Sequence, residues 1–193
     1  MLRRLVYPKV EPWLNRGARF CLEKKFTPNQ LTLVGLGLNL LAGWIFSTGL
    51  LFVGGILTLL AGLGDMLDGP LARLSGKASP FGAFLDSTVD RYSDFFLFGG
   101  VALHYATEGS LGWCLVSLGI LLGAFATSYT KARAENLIAS CSVGVFERPE
   151  RVLLLALGSL VSPLLPWVLV LLLVGTHATA IQRIVFVKKS LSN

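Results

Sequence analysis

Residues 64–94 read GDMLDGPLARLSGKASPFGAFLDSTVDRYSD and hold Asp65, Asp68, Asp86, Asp90 and Asp94, five of the 11 acidic residues in the chain. The sequence on both sides is almost uncharged and strongly apolar. A carboxylate beside hydrocarbon is costly unless it is paired or holds a cation. Asp65 and Asp68 stand at i,i+3 and Asp86 and Asp90 at i,i+4, so each pair projects from one face of a helix. Two antiparallel helices joined by a short loop would bring the pairs together. Four carboxylates at such range repel one another unless cations lie between them. Hard oxygen donors of this kind suit Mg2+, Mn2+ or Ca2+, and phosphate chemistry favours Mg2+ with Mn2+ as its substitute.

Gly69 and Ala72 follow Asp68 by one and four residues, and Gly82 precedes Asp86 by four. Lacking bulk, they let a flat or phosphorylated ligand approach the helix backbones. Arg73 adds a planar fork for a phosphate. Any one of the aspartates could be a helix cap or a solvated terminus. The ordered set D-x2-D-G-x2-A-R-x8-G-x3-D-x3-D argues instead for one shared site.

The elements that must position these residues are membrane helices. Of 193 residues, 53% are hydrophobic and 15% charged, against about 25% charged in an average soluble domain. No charged residue occurs between Lys25 and Asp65, between Glu108 and Lys131, or between Arg151 and Arg183. Each gap exceeds the ~20 residues of a helical crossing. The first holds two crossings with a turn near Ser47-Thr48-Gly49, and the last breaks at Ser162-Pro163-Leu164-Leu165-Pro166. The pattern predicts an all-α membrane protein: an interfacial amphipathic helix over about 5–24, then six spans near 30–48, 51–74, 81–105, 111–137, 149–163 and 166–188. Residues 1–193 read as one domain, with 1–26 the interfacial segment and 27–189 the six-helix bundle.

Six spans place all 17 Lys and Arg residues on one face. They lie in the N-terminal segment, around the second-to-third and fourth-to-fifth connections, and at the C-terminal end. The connections at 47–50, 105–110 and 162–166 contain none. The positive-inside rule names the basic face cytoplasmic, with both termini and the acidic cluster on that side. Residues 1–26 mix charged and apolar side chains and lack the continuous apolar core of a secretory signal. Cys21, Cys114 and Cys141 are scattered without metal-ligand spacing and imply no disulfide framework. The net charge of +6 is spread along the chain, which suits anionic lipid headgroups rather than nucleic acid. His104 and His177 lack metal-ligand company and read as structural.

The motif resembles the signature of the CDP-alcohol phosphatidyltransferase family, matched at Asp65, Asp68, Gly69, Ala72, Arg73, Gly82, Asp86 and Asp90. The predicted topology and the amphipathic leader look like that family along essentially the whole chain. The resemblance implies cation-dependent displacement of CMP from a CDP-linked lipid by the hydroxyl of a second alcohol. Asp65, Asp68 and Asp86 would bind two cations, with Asp90 shared between a metal and the role of general base. Gly69, Ala72, Arg73 and Gly82 would hold the cytidine and its phosphates. The segment Thr27-Pro28-Asn29-Gln30-Leu31-Thr32 resembles the family's lead into the first span, which implies Asn29 and Thr32 in the nucleotide pocket. The plainer reading of that segment is a Pro/Asn-capped helix start.

The stretches GAFLDSTVDRYSD, SYTKARAENL and FERPERV resemble the prokaryotic phosphatidylinositol-phosphate synthase branch, whose acceptor is inositol 1-phosphate. An anionic acceptor agrees with the basic residues Lys131, Arg133, Arg148, Arg151 and Arg183 near the cytoplasmic ends of spans four to six. The branch motifs place Lys131, Arg151 and Arg183 in the acceptor-phosphate pocket. Charge alone leaves Arg148 free to pair with Glu147 or Glu150, and Arg133 with Glu135 or the aspartates. Asp94 would orient a ligand or pair with Arg91. The resemblance also implies CDP-diacylglycerol as donor and a homodimer in the cell membrane. Rival readings are glycerol-3-phosphate as acceptor, a UbiA-like prenyltransferase, and a cation transporter with carboxylates on its path.

Overall fold

The computed structural model describes residues 2–192, with side chains from Val10 onward. Among the described residues the regular structure is helical: α1 Leu2–Glu23, α2 Pro28–Ser47, α3 Leu51–Leu74, α4 Pro80–Thr107, α5 Leu111–Ala134, α6 Arg148–Leu160 and α7 Leu165–Ser192. Helices α2, α3 and α5, and the segment Ser162–Ser192 containing α7, are long and apolar enough to cross a membrane. This is a membrane protein. Helix α4 has the length but carries Asp86, Asp90, Arg91 and Asp94 between its start and its middle. Helix α6 has 13 residues, or about 20 Å at 1.5 Å per residue, short of the ~30 Å hydrocarbon core.

Local chemistry sets the helix ends. The α1–α2 link closes with Phe26 N–H to Cys21 O at 3.0 Å and Lys25 N–H to Leu22 O at 2.9 Å, a Schellman ending with Lys25 at φ 61°. Helix α2 starts with a capping box: Gln30 N donates to Thr27 Oγ1 at 3.3 Å, and Thr27 N to Gln30 Oε1 at 2.9 Å. Thr27, not Asn29, is therefore the cap, and the Pro/Asn-capped reading of this start is corrected. Ser79 caps α4 through Gly82 N at 3.0 Å, and Gly76 at φ 65° turns the loop between α3 and α4. The proline break near 162–166 is a 3-10 turn, Ser162–Leu164, between α6 and α7.

Helix α2 packs on α3 and α4, α5 on α4 and α7, α6 on α3 and α7, and α1 on α3. Phe46, Leu97, Phe98, Val101, Ile120, Leu155, Leu169 and Leu172 fill the centre. Helices α2 and α4 touch backbone to backbone: a Cβ on Gly100 would lie 2.1 Å from Gly43 O. Several interior hydroxyls turn onto their own helices, as with Thr58 to Gly54 O at 2.8 Å and Ser159 to Leu155 O at 2.7 Å, which satisfies them without water. Large apolar side chains such as Trp44, Phe52, Leu103, Leu122 and Trp167 point outward, the arrangement lipid favours. His177 Nε2 lies 3.1 Å from Gly119 O and ties α7 to α5, the structural role expected of it.

Candidate functional site

The last turns of α3 and the first half of α4 meet at one end of the bundle, because only residues 75–79 separate the two helices. Carboxylate oxygens of Asp65, Asp68 and Asp86 all lie within 4.8 Å of one another. The sequence pattern pointed to two pairs of carboxylates; the structure groups three, drawn from both helices. Asp90 sits beside them and faces cations of the chain itself, with Oδ1 2.7 Å from Arg148 Nη1 and Oδ2 3.5 Å from Arg91 Nη2.

Arg148 is the unexpected member. It opens α6, and its Nη1 also donates to Asp65 Oδ2, while its Nε lies 3.8 Å from Asp94 Oδ1. Its carboxylate partners are thus Asp65, Asp90 and Asp94 rather than Glu147 or Glu150. Asp94 does not take Arg91, as the sequence suggested. Its Oδ2 accepts from Arg151 Nη2 at 2.6 Å, and both side chains are fully buried. Arg151 Nη1 also donates to Phe146 O at 3.2 Å.

Lys131 and Arg183 converge on a different carboxylate, that of Glu147. Arg183 donates from Nε to Val143 O at 2.9 Å, from Nη1 to Thr127 O at 2.6 Å and from Nη2 to Glu147 Oε1 at 2.9 Å. Lys131 Nζ lies 3.7 Å from the same Glu147 oxygen. Arg133 lines a small cleft of about 180 Å³ with Tyr129, Ile184 and Arg183. The sequence offered Glu147 only as a partner for Arg148, not for Arg183 or Lys131. Its position immediately before Arg148, amid alternating charges in FERPER, was the available signal.

On the α2 side, the Thr32 hydroxyl donates to Asp68 Oδ2 at 3.0 Å or to Pro28 O at 3.1 Å. A Cβ on Gly82 would lie 3.8 Å from Asn29 Oδ1, so the start of α2 faces the start of α4. A Cβ on Gly69 would come 3.7 Å from Arg73 Nη1, and Ala72 is half-buried. Asn29, Thr32, Gly69 and Gly82 thus border the three carboxylates, whereas Lys131 and Arg183 lie beyond Arg148.

The residues fit hard divalent cations. The donors are carboxylate oxygens alone, they come from two rigid helices, and Asp90 Oδ1 is buried without a hydrogen bond of good geometry. A guanidinium already balances charge between Asp65 and Asp90, which marks a position built for cations. Flanked by small residues on one side and cations on the other, such a site can bind a diphosphate and a second anion together.

Residues 25–182 match the CDP-alcohol phosphatidyltransferase family, and the chain belongs to it. It is 36% identical over 187 residues to the archaetidylinositol phosphate synthase of Pyrococcus horikoshii, covering 96% of each protein. It is 37% identical over 187 residues to the phosphatidylinositol phosphate synthase of Streptomyces avermitilis, covering 89% of this chain and 76% of that protein. The crystal structure of Mycobacterium tuberculosis phosphatidylinositol phosphate synthase with CDP-DAG bound superposes with a TM-score of 0.83 at 33% identity, over 90% of this chain and 92% of that one. The same mycobacterial enzyme has been crystallised with manganese and citrate. Family membership sets aside the prenyltransferase and transporter readings.

Proposed function

We propose that this chain transfers the phosphatidyl group of a CDP-linked lipid, CDP-diacylglycerol or its ether counterpart, to the hydroxyl of inositol 1-phosphate and releases CMP. The observation that carries this reading is the adjacency of two groups: the Asp65, Asp68 and Asp86 carboxylates within 4.8 Å of one another, and a basic group holding Lys131 and Arg183 just past Arg148. The names of the relatives, phosphatidylinositol and archaetidylinositol phosphate synthases, support inositol 1-phosphate over glycerol-3-phosphate.

In this reading Asp65, Asp68 and Asp86, with Asp90 at their edge, hold two Mg2+ ions, for which Mn2+ can substitute. Bound there, the ions supply charge neutralisation of the diphosphate and polarisation of the attacked phosphorus. Asn29, Thr32, Gly69, Ala72, Arg73 and Gly82 hold the cytidine and its phosphates. Lys131, Arg133, Arg148, Arg151 and Arg183 supply the cationic surroundings of the acceptor phosphate, Arg151 from its buried pair with Asp94. Asp90 Oδ1 takes the proton of the acceptor hydroxyl. The hydroxyl oxygen bonds to the phosphorus bearing the lipid, the phosphorus–oxygen bond to CMP breaks, and CMP leaves with the electron pair.

The wider arrangement belongs to the same reading. Helices α2 to α7 form six spans, with α6 a partial crossing completed by the Ser162–Leu164 turn. Both termini and the site face the cytoplasm of a cell membrane, α1 lies along the headgroups, and residues 1–193 act as one domain. Two copies assemble as a homodimer.

The test is CMP release by the purified chain from CDP-diacylglycerol with inositol 1-phosphate, glycerol-3-phosphate, free inositol or serine. Turnover with inositol 1-phosphate well above the others is expected. Preferential use of glycerol-3-phosphate would replace the acceptor and keep the chemistry.

A further inference from the structure

Glu147 lies where two pocket cations converge. Its Oε1 accepts from Arg183 Nη2 at 2.9 Å and stands 3.7 Å from Lys131 Nζ, so one carboxylate oxygen bridges them. The three side chains differ in freedom. Arg183 is almost fully buried, and two backbone carbonyls, Val143 O and Thr127 O, fix its fork so that Nη2 is the donor turned to Glu147. Lys131 and Glu147 keep 40% and 28% of their side-chain surface open, so these two can move.

The carboxylate has no duty in its own helix. Glu147 occupies the N-cap position of α6, yet its side chain caps no N–H there. The short side chains Asp, Asn, Ser and Thr are the usual caps at that position, and the longer Glu147 is turned to the cations instead. Its contact with Arg183 spans 36 positions of sequence, so it is made by the tertiary fold alone. Without it, Arg183 Nη2 would be buried with no anionic partner, at a cost typical of an uncompensated charge.

We propose that Glu147 is an internal stand-in for the acceptor phosphate. Its carboxylate compensates Arg183 and Lys131 until a phosphate monoester displaces it. This rests on the reading of Lys131 and Arg183 as acceptor-phosphate groups. A phosphate monoester carries nearly two negative charges and three acceptor oxygens against one charge and two oxygens for the carboxylate, so the exchange runs towards the phosphate. The apparent affinity for any anion is then lowered in proportion to the fraction of molecules whose pocket is open. An orienting residue behaves in the opposite way, because its removal weakens binding.

The experiment uses the purified full chain in lipid nanodiscs without CDP-lipid, so that no turnover occurs, and inorganic phosphate as the probe. Calorimetry gives its affinity for the wild type, for Glu147→Gln and for Glu135→Gln, the same charge change on an exposed residue. Glu147→Gln is expected to bind phosphate about fivefold or more tightly, the lower end of ordinary coupling between competing contacts. In phosphate-free buffer it should also melt below the wild type, with added phosphate closing the gap. Glu135→Gln should do neither. Equal tightening in both variants, or unchanged or weaker binding in Glu147→Gln, overturns the stand-in while leaving the pocket intact. Phosphate binding to none of the three proteins overturns the pocket itself.

Discussion

Asp94 Oδ2 accepts a hydrogen bond from Arg151 Nη2 at 2.6 Å, and neither side chain is open to solvent. The pair joins α4 to α6, and Arg151 also holds Phe146 O. It thereby fixes the residues that deliver Glu147 and Arg148 to the site. Removing one partner of a buried pair leaves the other charged and unmatched, so Asp94→Asn should destabilise the fold by about 3–5 kcal/mol. The double change Asp94→Leu with Arg151→Met should cost less. Denaturant unfolding of the purified protein measures both, and a single variant as stable as the wild type would show that the pair bears no structural weight.

Asp90→Asn should abolish CMP release while leaving the helix content and nucleotide binding in place. The amide keeps the size of the side chain and loses the basic oxygen. Near-normal turnover would remove Asp90 from its role as base.

Asp65→Asn, Asp68→Asn and Asp86→Asn should each weaken Mn2+ binding in the absence of substrates. The loss should be at least the roughly 10–100-fold that follows removal of an outer-shell partner. Titration of bound Mn2+ by paramagnetic resonance checks this, and unchanged affinity in all three would mean that the triad is not the metal site.

Lys131→Ala should raise the KM for the acceptor about tenfold, as expected for a charge-assisted contact of ~1.5 kcal/mol, with little change in the KM for CDP-lipid. Arg183→Ala is the poorer probe because it also removes the donors to Val143 O and Thr127 O that tie α7 to its neighbours. Equal effects of Lys131→Ala on both substrates would make Lys131 a membrane anchor.

Gly100→Ala should destabilise by about 1–3 kcal/mol through overpacking, since its new methyl meets Gly43 O at 2.1 Å. Gly37→Ala, which meets nothing within 4 Å, is the matched control. Equal melting temperatures for the two variants would contradict the close α2–α4 crossing.

The helices were legible in the sequence because lipid imposes a one-dimensional rule: apolar length between charged stops. That rule located α2, α3, α5 and α7 to within a few residues. The proline break at 162–166 placed the end of α6 as closely, within three residues of Leu160. Apolar length said nothing of which nearby polar side chain takes a cap, so Thr27 rather than Asn29 closes the start of α2.

Spacing within single helices likewise placed the aspartates on common faces, and the short link between α3 and α4 made the two faces meet. The sequence by itself therefore determined the helices and the shared acidic site, which follow from local periodicity and short connections, and its motif's resemblance to the family implied the chemistry. Only the tertiary structure decided which charge opposes which: Arg148 with Asp65 across 83 positions, Arg151 with Asp94 across 57, and Glu147 with Arg183 across 36. Those choices depend on how α6 settles against α3 and α7 and where that docking points the guanidinium forks. No pattern read along the chain encodes such distances, because a charged side chain accepts any opposite charge that packing brings within reach.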